Sequence, residues 1–250
     1  MNPCNDFFGL LTAITVDCKD NGECFTVTDR VAVIERLLAG SGYMQVASLP
    51  LALLYAKRAL REGDRVLLIS SHIDCVYGNC FCVDEGDSLC GTFDNSFTNA
   101  ALLWCMLGGQ LPDNVVVAFT GNEESDSRGA LQVAAELGRV GCDVAAALVL
   151  DVTNEGSEHG ALFALENDLG IDILTGYSIV ASLEEYCGRF AFKHNALPDE
   201  SWDYADSGIP SISLCVPVVG DLHSDAGVLL RKESALEYCS VLARLSGVLF

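Results

Sequence analysis

Glu123 and Glu124 stand side by side at the end of an uncharged run, Val115-Val116-Val117-Ala118-Phe119-Thr120-Gly121-Asn122. Adjacent carboxylates repel unless a cation or a proton lies between them. Other metal-binding side chains occupy comparable places. His72 and Asp74 follow the apolar run 65–71, Asp94 precedes an apolar helical stretch, Asp151 ends the run 144–150, and His223 sits in a polar loop. Two histidines with three or more carboxylates make a mixed nitrogen and oxygen set suited to zinc or a similar divalent ion. The set is larger than the three protein ligands one catalytic zinc takes, and it suits two metals that share a bridging carboxylate. Each residue alone has an ordinary reading, as a solvated loop pair, a turn aspartate, a strand-end cap or a loop histidine. It is their coincidence at strand ends that points to a metal.

Bringing chain-distant residues together in this way requires strands that end along one edge of a sheet. In the run from Val115, four of the first five residues are β-branched or aromatic, which predicts a strand covered on both faces. Runs 65–71, 144–150 and 209–216 read alike, and such sheets place their chemistry at the carboxyl ends of the strands. A shorter strand is expected over 161–165 and an edge strand over 189–192. Helices are expected over 6–15, from Asp29 after a Thr28 cap, over 97–107, over 127–137 with Ser125 or Ser127 as cap, and over 171–188 and 233–249. A short helix or turn is expected over 202–207. Residues 44–56 are apolar without a deciding period, 17–26 are polar and turn-rich, and 75–93 read as an irregular loop. The alternation predicts one domain over residues 1–250, a three-layer α/β/α sandwich around a mostly parallel sheet.

Composition narrows the function. With 14 basic against 35 acidic residues the net charge is −21, which repels phosphate backbones and argues against nucleic acid as a partner. The mean hydropathy of +0.33 is high. Even so, the longest charge-free stretch, 37–56, is broken by Gly40-Ser41-Gly42, Gln45 and Pro50, so no membrane span is expected. The apolar run 7–14 follows Asp6 with no Lys or Arg before it, and it reads as a first helix rather than an export signal. The twelve cysteines are then expected as thiols in a reducing cytoplasm. Cys75, Cys80, Cys82 and Cys90 lack the paired spacing of a structural zinc site.

Six short signatures occur in one order: Ser71-His72-Ile73-Asp74, Asp94-Asn95, Asn122-Glu123-Glu124 with Arg128-Gly129-Ala130, Leu150-Asp151-Val152-Thr153, Gly208-Ile209-Pro210 and Leu222-His223-Ser224. In these, over residues 65–226, the chain resembles di-zinc exopeptidases of the bacterial leucyl aminopeptidase and deblocking (glutamyl) aminopeptidase type. The resemblance implies that Asp94 bridges two metals, that His72 and Asp151 complete one site, and that Glu124 and His223 complete the other. It implies Glu123 as general base and Asp74 as the partner that holds His72 in the correct tautomer. It implies zinc, with cobalt or manganese as alternatives, and a peptide or another small amide as substrate. The leading expectation is an aminopeptidase acting on short peptides. Alternatives are a carboxypeptidase, an N-acyl amino acid deacylase, a cyclase-like amide enzyme or a non-catalytic zinc-bound scaffold.

Many such enzymes carry an inserted lid or dimerisation domain. Here 21 residues lie between His72 and Asp94 and 71 between Asp151 and His223, too few for one. The likeness is therefore to the compact catalytic core, and a homo-oligomer stays compatible with it. Glu200, Trp202, Asp203 and Tyr204 precede Gly208-Ile209-Pro210 in a region that lines the pocket in such enzymes. One of these acids is expected to contact the substrate amine, with the rings shaping the pocket. His159 and His194 fall outside the pattern and read as ordinary histidines. The cysteines of loop 75–90, and Asp225-Ala226 where some relatives place a glutamate, are departures from it.

Overall fold

The computed structural model describes residues 6–17, 28–167 and 170–248. Its centre is formed by the uncharged runs. Strands β3 (Arg65–His72), β6 (Val115–Thr120) and β7 (Asp143–Thr153) are buried over most of their length, and β10 (Ser211–Pro217) over all of it. These four lie parallel in the order β6-β3-β7-β10. Residues 44–56, whose period decides nothing, form a hairpin of β1 (Met44–Leu49) and β2 (Ala52–Ala56), and β2 joins β6 antiparallel. At the other side β8 (Phe163–Asn167) joins β10 antiparallel, and β9 (Phe190–His194) follows it at the edge. The eight-stranded order is β1-β2-β6-β3-β7-β10-β8-β9.

Helices cover both faces, giving the α/β sandwich expected. On one face α1 (Phe7–Ile14), α2 (Asp29–Leu38), α3 (Ser96–Leu107), α5 (Ile173–Tyr186) and α7 (Lys232–Val248) bury Leu10, Ile34, Phe97, Leu183 and Leu242 against Leu67, Ile69 and Leu148. On the other, α4 (Arg128–Val140) and α6 (Glu200–Asp206) bury Val133, Leu137 and Tyr204 against Val66, Leu68, Val116 and Val149. Thr28 caps α2 as expected, its hydroxyl accepting from the Val31 amide. Among the described residues no helix is long and apolar enough to cross a membrane. Cys4, Cys18, Cys24 and most of the turn-rich 17–26 stretch lie outside the described residues.

Two expectations are corrected. Residues 75–93 are not an irregular loop throughout. β4 (Cys82–Asp84) and β5 (Ser88–Gly91) pair antiparallel, and β5 pairs with β11 (Val228–Arg231), giving a second, three-stranded sheet. Its closing partner is remote in sequence, so no local pattern announces it. Glycines permit it: a Cβ on Gly91 would lie 2.5 Å from the Phe81 carbonyl, and one on Gly227 would lie 2.7 Å from that of Gly91. The second correction concerns α4. Ser127 precedes the helix at φ 48° and makes no side-chain cap. The amides of Ser125, Asp126 and Ser127 instead converge on the Asn122 carbonyl.

Gly129 belongs to the same turn. A Cβ there would lie 2.5 Å from Gly121 O and 2.7 Å from Leu51 O, both backbone atoms that cannot move aside. Helix propensity alone favours Gly129→Ala by about 1 kcal/mol. The clash reverses the sign, and a net destabilisation of about 1–3 kcal/mol is expected from overpacking. Chemical denaturation checks this, and an unchanged or raised midpoint contradicts it.

Candidate metal centre

The strand register assembles the centre. His72 pairs with Thr120 across β3–β6, and Ser71 pairs with Leu150 across β3–β7, so His72 comes level with Asp151 at the carboxyl edge. Asp94 enters from the turn before α3. That turn is anchored by Asn95, whose side-chain amide donates to Leu150 O at 2.8 Å. Asn99 donates to both Ser71 Oγ and His72 O at 2.7 Å, tying α3 to the end of β3. Beyond β6 the chain turns sharply at Asn122 (φ 64°), which brings Glu123 and Glu124 back over the edge.

Asp74 locks this turn in place. Its Oδ1 and Oδ2 accept from the amides of Glu123 (3.3 Å) and Glu124 (3.2 Å), and Oδ1 faces His72 Nδ1 at 3.4 Å. One carboxylate thus holds the amides of both glutamates and faces the histidine, whose Nδ1 makes no hydrogen bond. His223 arrives on a loop fixed from the 75–78 segment: the Tyr77 hydroxyl donates to Leu222 O, and the Gly78 amide donates to Asp225 Oδ1. Sequence reasoning missed Tyr77, Gly78 and the tether role of Asp225, because these contacts span about 150 residues and have no local signature.

The resulting distances can be tested against a metal. Two ligand atoms about 2.0–2.2 Å from one zinc at a tetrahedral angle lie about 3.3–3.6 Å apart. His72 Nε2 is 3.1 Å from Asp94 Oδ1 and 3.6 Å from Asp151 Oδ1. His223 Nε2 is 3.5 Å from Asp94 Oδ2 and 3.4 Å from Glu124 Oε2. The two triads share Asp94, which turns one oxygen to each. His72, Glu123 and Glu124 also come close enough to form a third triad. Glu123 Oε2 is 3.9 Å from His72 Nε2, a little beyond the tetrahedral span, and Glu123 belongs to neither of the two triads that share Asp94. Asp94 Oδ1 and Glu124 Oε1 are buried without a hydrogen-bond partner. A buried Asp94 Oδ1 facing His72 Nε2, and a buried Glu124 Oε1 whose partner oxygen faces His223, fit a divalent ion well.

The electrostatics agree. Burial, with Asp151, Glu200 and Asp94 adding to it, pushes Glu123 up from 4.5 to about 9, against the opposing pull of His72. Burial and Asp94 raise Glu124 to about 7. Burial raises Asp151 to about 6, with His72 opposing it. Asp94 goes the other way, to about 2, because His223 and His72 overcome its burial. Both imidazoles are raised: His72 by Glu123, Asp151, Asp74 and Asp94 despite burial, and His223, to about 9, first by Asp94. In the absence of metal the cluster holds protons where cations fit. His72 is 2 % exposed and His223 59 %, so the centre opens on the His223 side.

A cavity of about 210 Å³ adjoins the centre, lined by Asp94, Glu123, Glu124, Asp151 and His223 together with Glu166, Lys193 and Asp199. The last three were missed, although a glutamate directly after the apolar run 161–165 is a visible signal. The four residues expected around the substrate lie elsewhere, because α6 presents its inner face to the core beneath the edge. Glu200 is buried, accepts from Ser70 Oγ at 2.9 Å, and is raised by burial to about 7. Tyr204 is buried with its hydroxyl 2.9 Å from Ser70 Oγ. Trp202 is half exposed, and Asp203 is raised by partial burial. None of the four lines the cavity.

No protein-family model matches the chain, and no curated protein sequence matches it. Solved structures do. A TET aminopeptidase from the marine sediment archaeon Thaumarchaeota archaeon SCGC AB-539-E09 superposes with a TM-score of 0.75 at 13% identity, covering 96% of each chain. The TET1 peptidase of Pyrococcus horikoshii gives 0.72 at 12%, over 96% of this chain and 99% of the other. A Thermotoga maritima protein titled an endoglucanase gives 0.65 at 13%, over 96% and 99%. At such identities the likeness establishes a shared fold, and the differing titles leave the activity to be argued from the site.

The metal-free cluster makes a prediction about pH. Glu123, Glu124 and His223 bind protons more tightly folded than unfolded, so their contribution to stability is present at low pH. That contribution is lost as pH rises from 4.5 through about 7 and about 9. Zinc replaces those protons, so it flattens this decline and raises stability by about 2.7 kcal/mol at a hundredfold excess over Kd. Thermal midpoints from about pH 5 to 9, with and without zinc, check both. A flat metal-free profile, or no response to zinc, contradicts them.

Proposed function

We propose that the protein is a metal-dependent aminopeptidase that hydrolyses the N-terminal peptide bond of short peptides. The observation that carries this reading is the pair of triads sharing Asp94, with Glu123 close by and outside both. His72, Asp94 and Asp151 would hold one divalent ion, and His223, Asp94 and Glu124 the other, with zinc best matched to this mixed nitrogen and oxygen set. Bound there, two such ions acidify a water and polarise the scissile carbonyl.

The remaining work falls to the chain. Glu123 takes the proton of the attacking water and returns it to the leaving amine, a role that requires a carboxylate beside the metals but not ligating them. Asp74 holds the Glu123 amide and His72 in register, so the base and its neighbours are preorganised. Half-enclosed by the cavity wall, the site excludes part of the bulk water and strengthens each of these interactions.

Elemental analysis paired with aminoacyl-anilide hydrolysis tests the reading. About two zinc or cobalt ions per chain are expected, with activity lost on chelation and restored by metal. Glu123→Gln is expected to keep its metal and lose at least about 100-fold in kcat. Two metals without anilide cleavage would move the reading to another amide substrate. A folded protein that takes up no metal would overturn it.

A further inference from the structure

The cavity beside the candidate metal centre has a wall that the proposed chemistry does not use. Glu166, Asp199 and Lys193 line it, together with the apolar surfaces of Val152, Pro198 and Leu222. Two of the three charged residues are already engaged. Lys193 Nζ lies 2.8 Å from Glu155 Oε2, and Asp199 accepts from the Ser213 hydroxyl and from the Ser201 amide at 2.8 Å. Glu166 is not so well satisfied. The residue is partly exposed, yet its Oε1 is buried without a hydrogen-bond partner. Burial raises its pKa first, and Asp199 and Glu155 add to that rise against the Thr153 hydroxyl and Lys193. A partly desolvated carboxylate with one oxygen unpartnered is stabilised further by an incoming cation.

We propose that this cavity is the side-chain subsite of the peptidase and selects substrates whose N-terminal residue is lysine or arginine, its charged end paired with Glu166. The inference rests on the reading of the preceding subsection and adds the substrate class. The cavity of about 210 Å³ is continuous from the centre, where Asp94, Glu123, Glu124, Asp151 and His223 line it, to the wall that holds Glu166, so a side chain projecting from a substrate at the centre reaches that wall. Val152, Pro198 and Leu222 supply apolar surface for the methylene stem, and Glu166 meets the head, the division of labour that long cationic side chains adopt. An acidic substrate side chain fits worse. It would have to displace Glu155 from Lys193 while facing Glu166 and Asp199. The net charge of −21 further favours the approach of cationic peptides.

The test compares lysyl, arginyl, norleucyl and glutamyl 4-nitroanilides on the zinc-loaded enzyme. Norleucine keeps the stem and the α-ammonium group and lacks only the distal charge. The lysyl-to-norleucyl ratio of kcat/KM is expected to exceed about tenfold and to collapse in Glu166→Gln, chiefly through KM. A wild-type ratio near one, a glutamyl preference, or a ratio that Glu166→Gln leaves unmoved would overturn the proposal while leaving the peptidase reading intact. The wild-type ratio decides even if the variant fails to fold. If no anilide is cleaved, the peptidase reading falls, and calorimetric binding of lysinamide against norleucinamide then decides the subsite. Tighter lysinamide binding that depends on Glu166 supports it, and equal binding overturns it.

Discussion

Crowding of like charge at the carboxyl edge of the sheet is the constraint on which the rest of the structure depends. Asp94, Glu123, Glu124 and Asp151 surround two imidazoles in a region largely withdrawn from water. Carboxylates so placed push one another toward protonation, and the chain must hold them together against that tendency. Register does part of this, since the parallel pairing of β3 with β6 and β7 brings His72 level with Asp151 without any loop adjusting. Backbone capture does the rest. Asp74 binds the amides of both glutamates, and Asn95 and Asn99 fasten α3 to the strand ends. Each of these bonds ends on a backbone atom, so the edge keeps its shape whichever protons or cations occupy it.

The small second sheet makes sense in the same terms. His223 is the one residue of the two triads that comes neither from an end of the main sheet nor from the turn before α3, and a free loop would leave it imprecise. β11, paired with β5, also bridges to Val219 and so closes the base of the loop that carries it, and Tyr77 and Gly78 reach across to Leu222 and Asp225. The cysteine-containing stretch is thus a support for the exposed side of the centre. Cys75 and Cys80 lie within it with sulfurs 4.0 Å apart.

Fold and activity carry separate arguments here. Proteins titled aminopeptidase and endoglucanase share this architecture with the chain over nearly its whole length. The proposed amide hydrolysis rests on the local arrangement: an aspartate offering one oxygen to each of two histidine-centred triads, with Glu123 beside them. The wall beyond that arrangement carries Glu166 and the Lys193–Glu155 pair, on which the proposed substrate class rests.

Much of this was legible in one dimension. Uncharged β-branched runs such as Val115-Val116-Val117 announce buried parallel strands, because a strand covered on both faces has no polar side to alternate. Carboxylates and histidines set at the ends of those runs announce a cluster that could hold a metal, since α/β sheets align their strand ends. By contrast, only the tertiary structure decided that Asp94 divides its oxygens between His72 and His223, and that Asp74 serves two amides as well as an imidazole. The same holds for Glu200 and Tyr204, which lie under the edge rather than in the cavity. Periodicity reports which residues one element buries. It carries no information about contacts such as Tyr77 with Leu222, β5 with β11, or Glu166 with the cavity, which depend on segments that meet only when the whole sheet has closed.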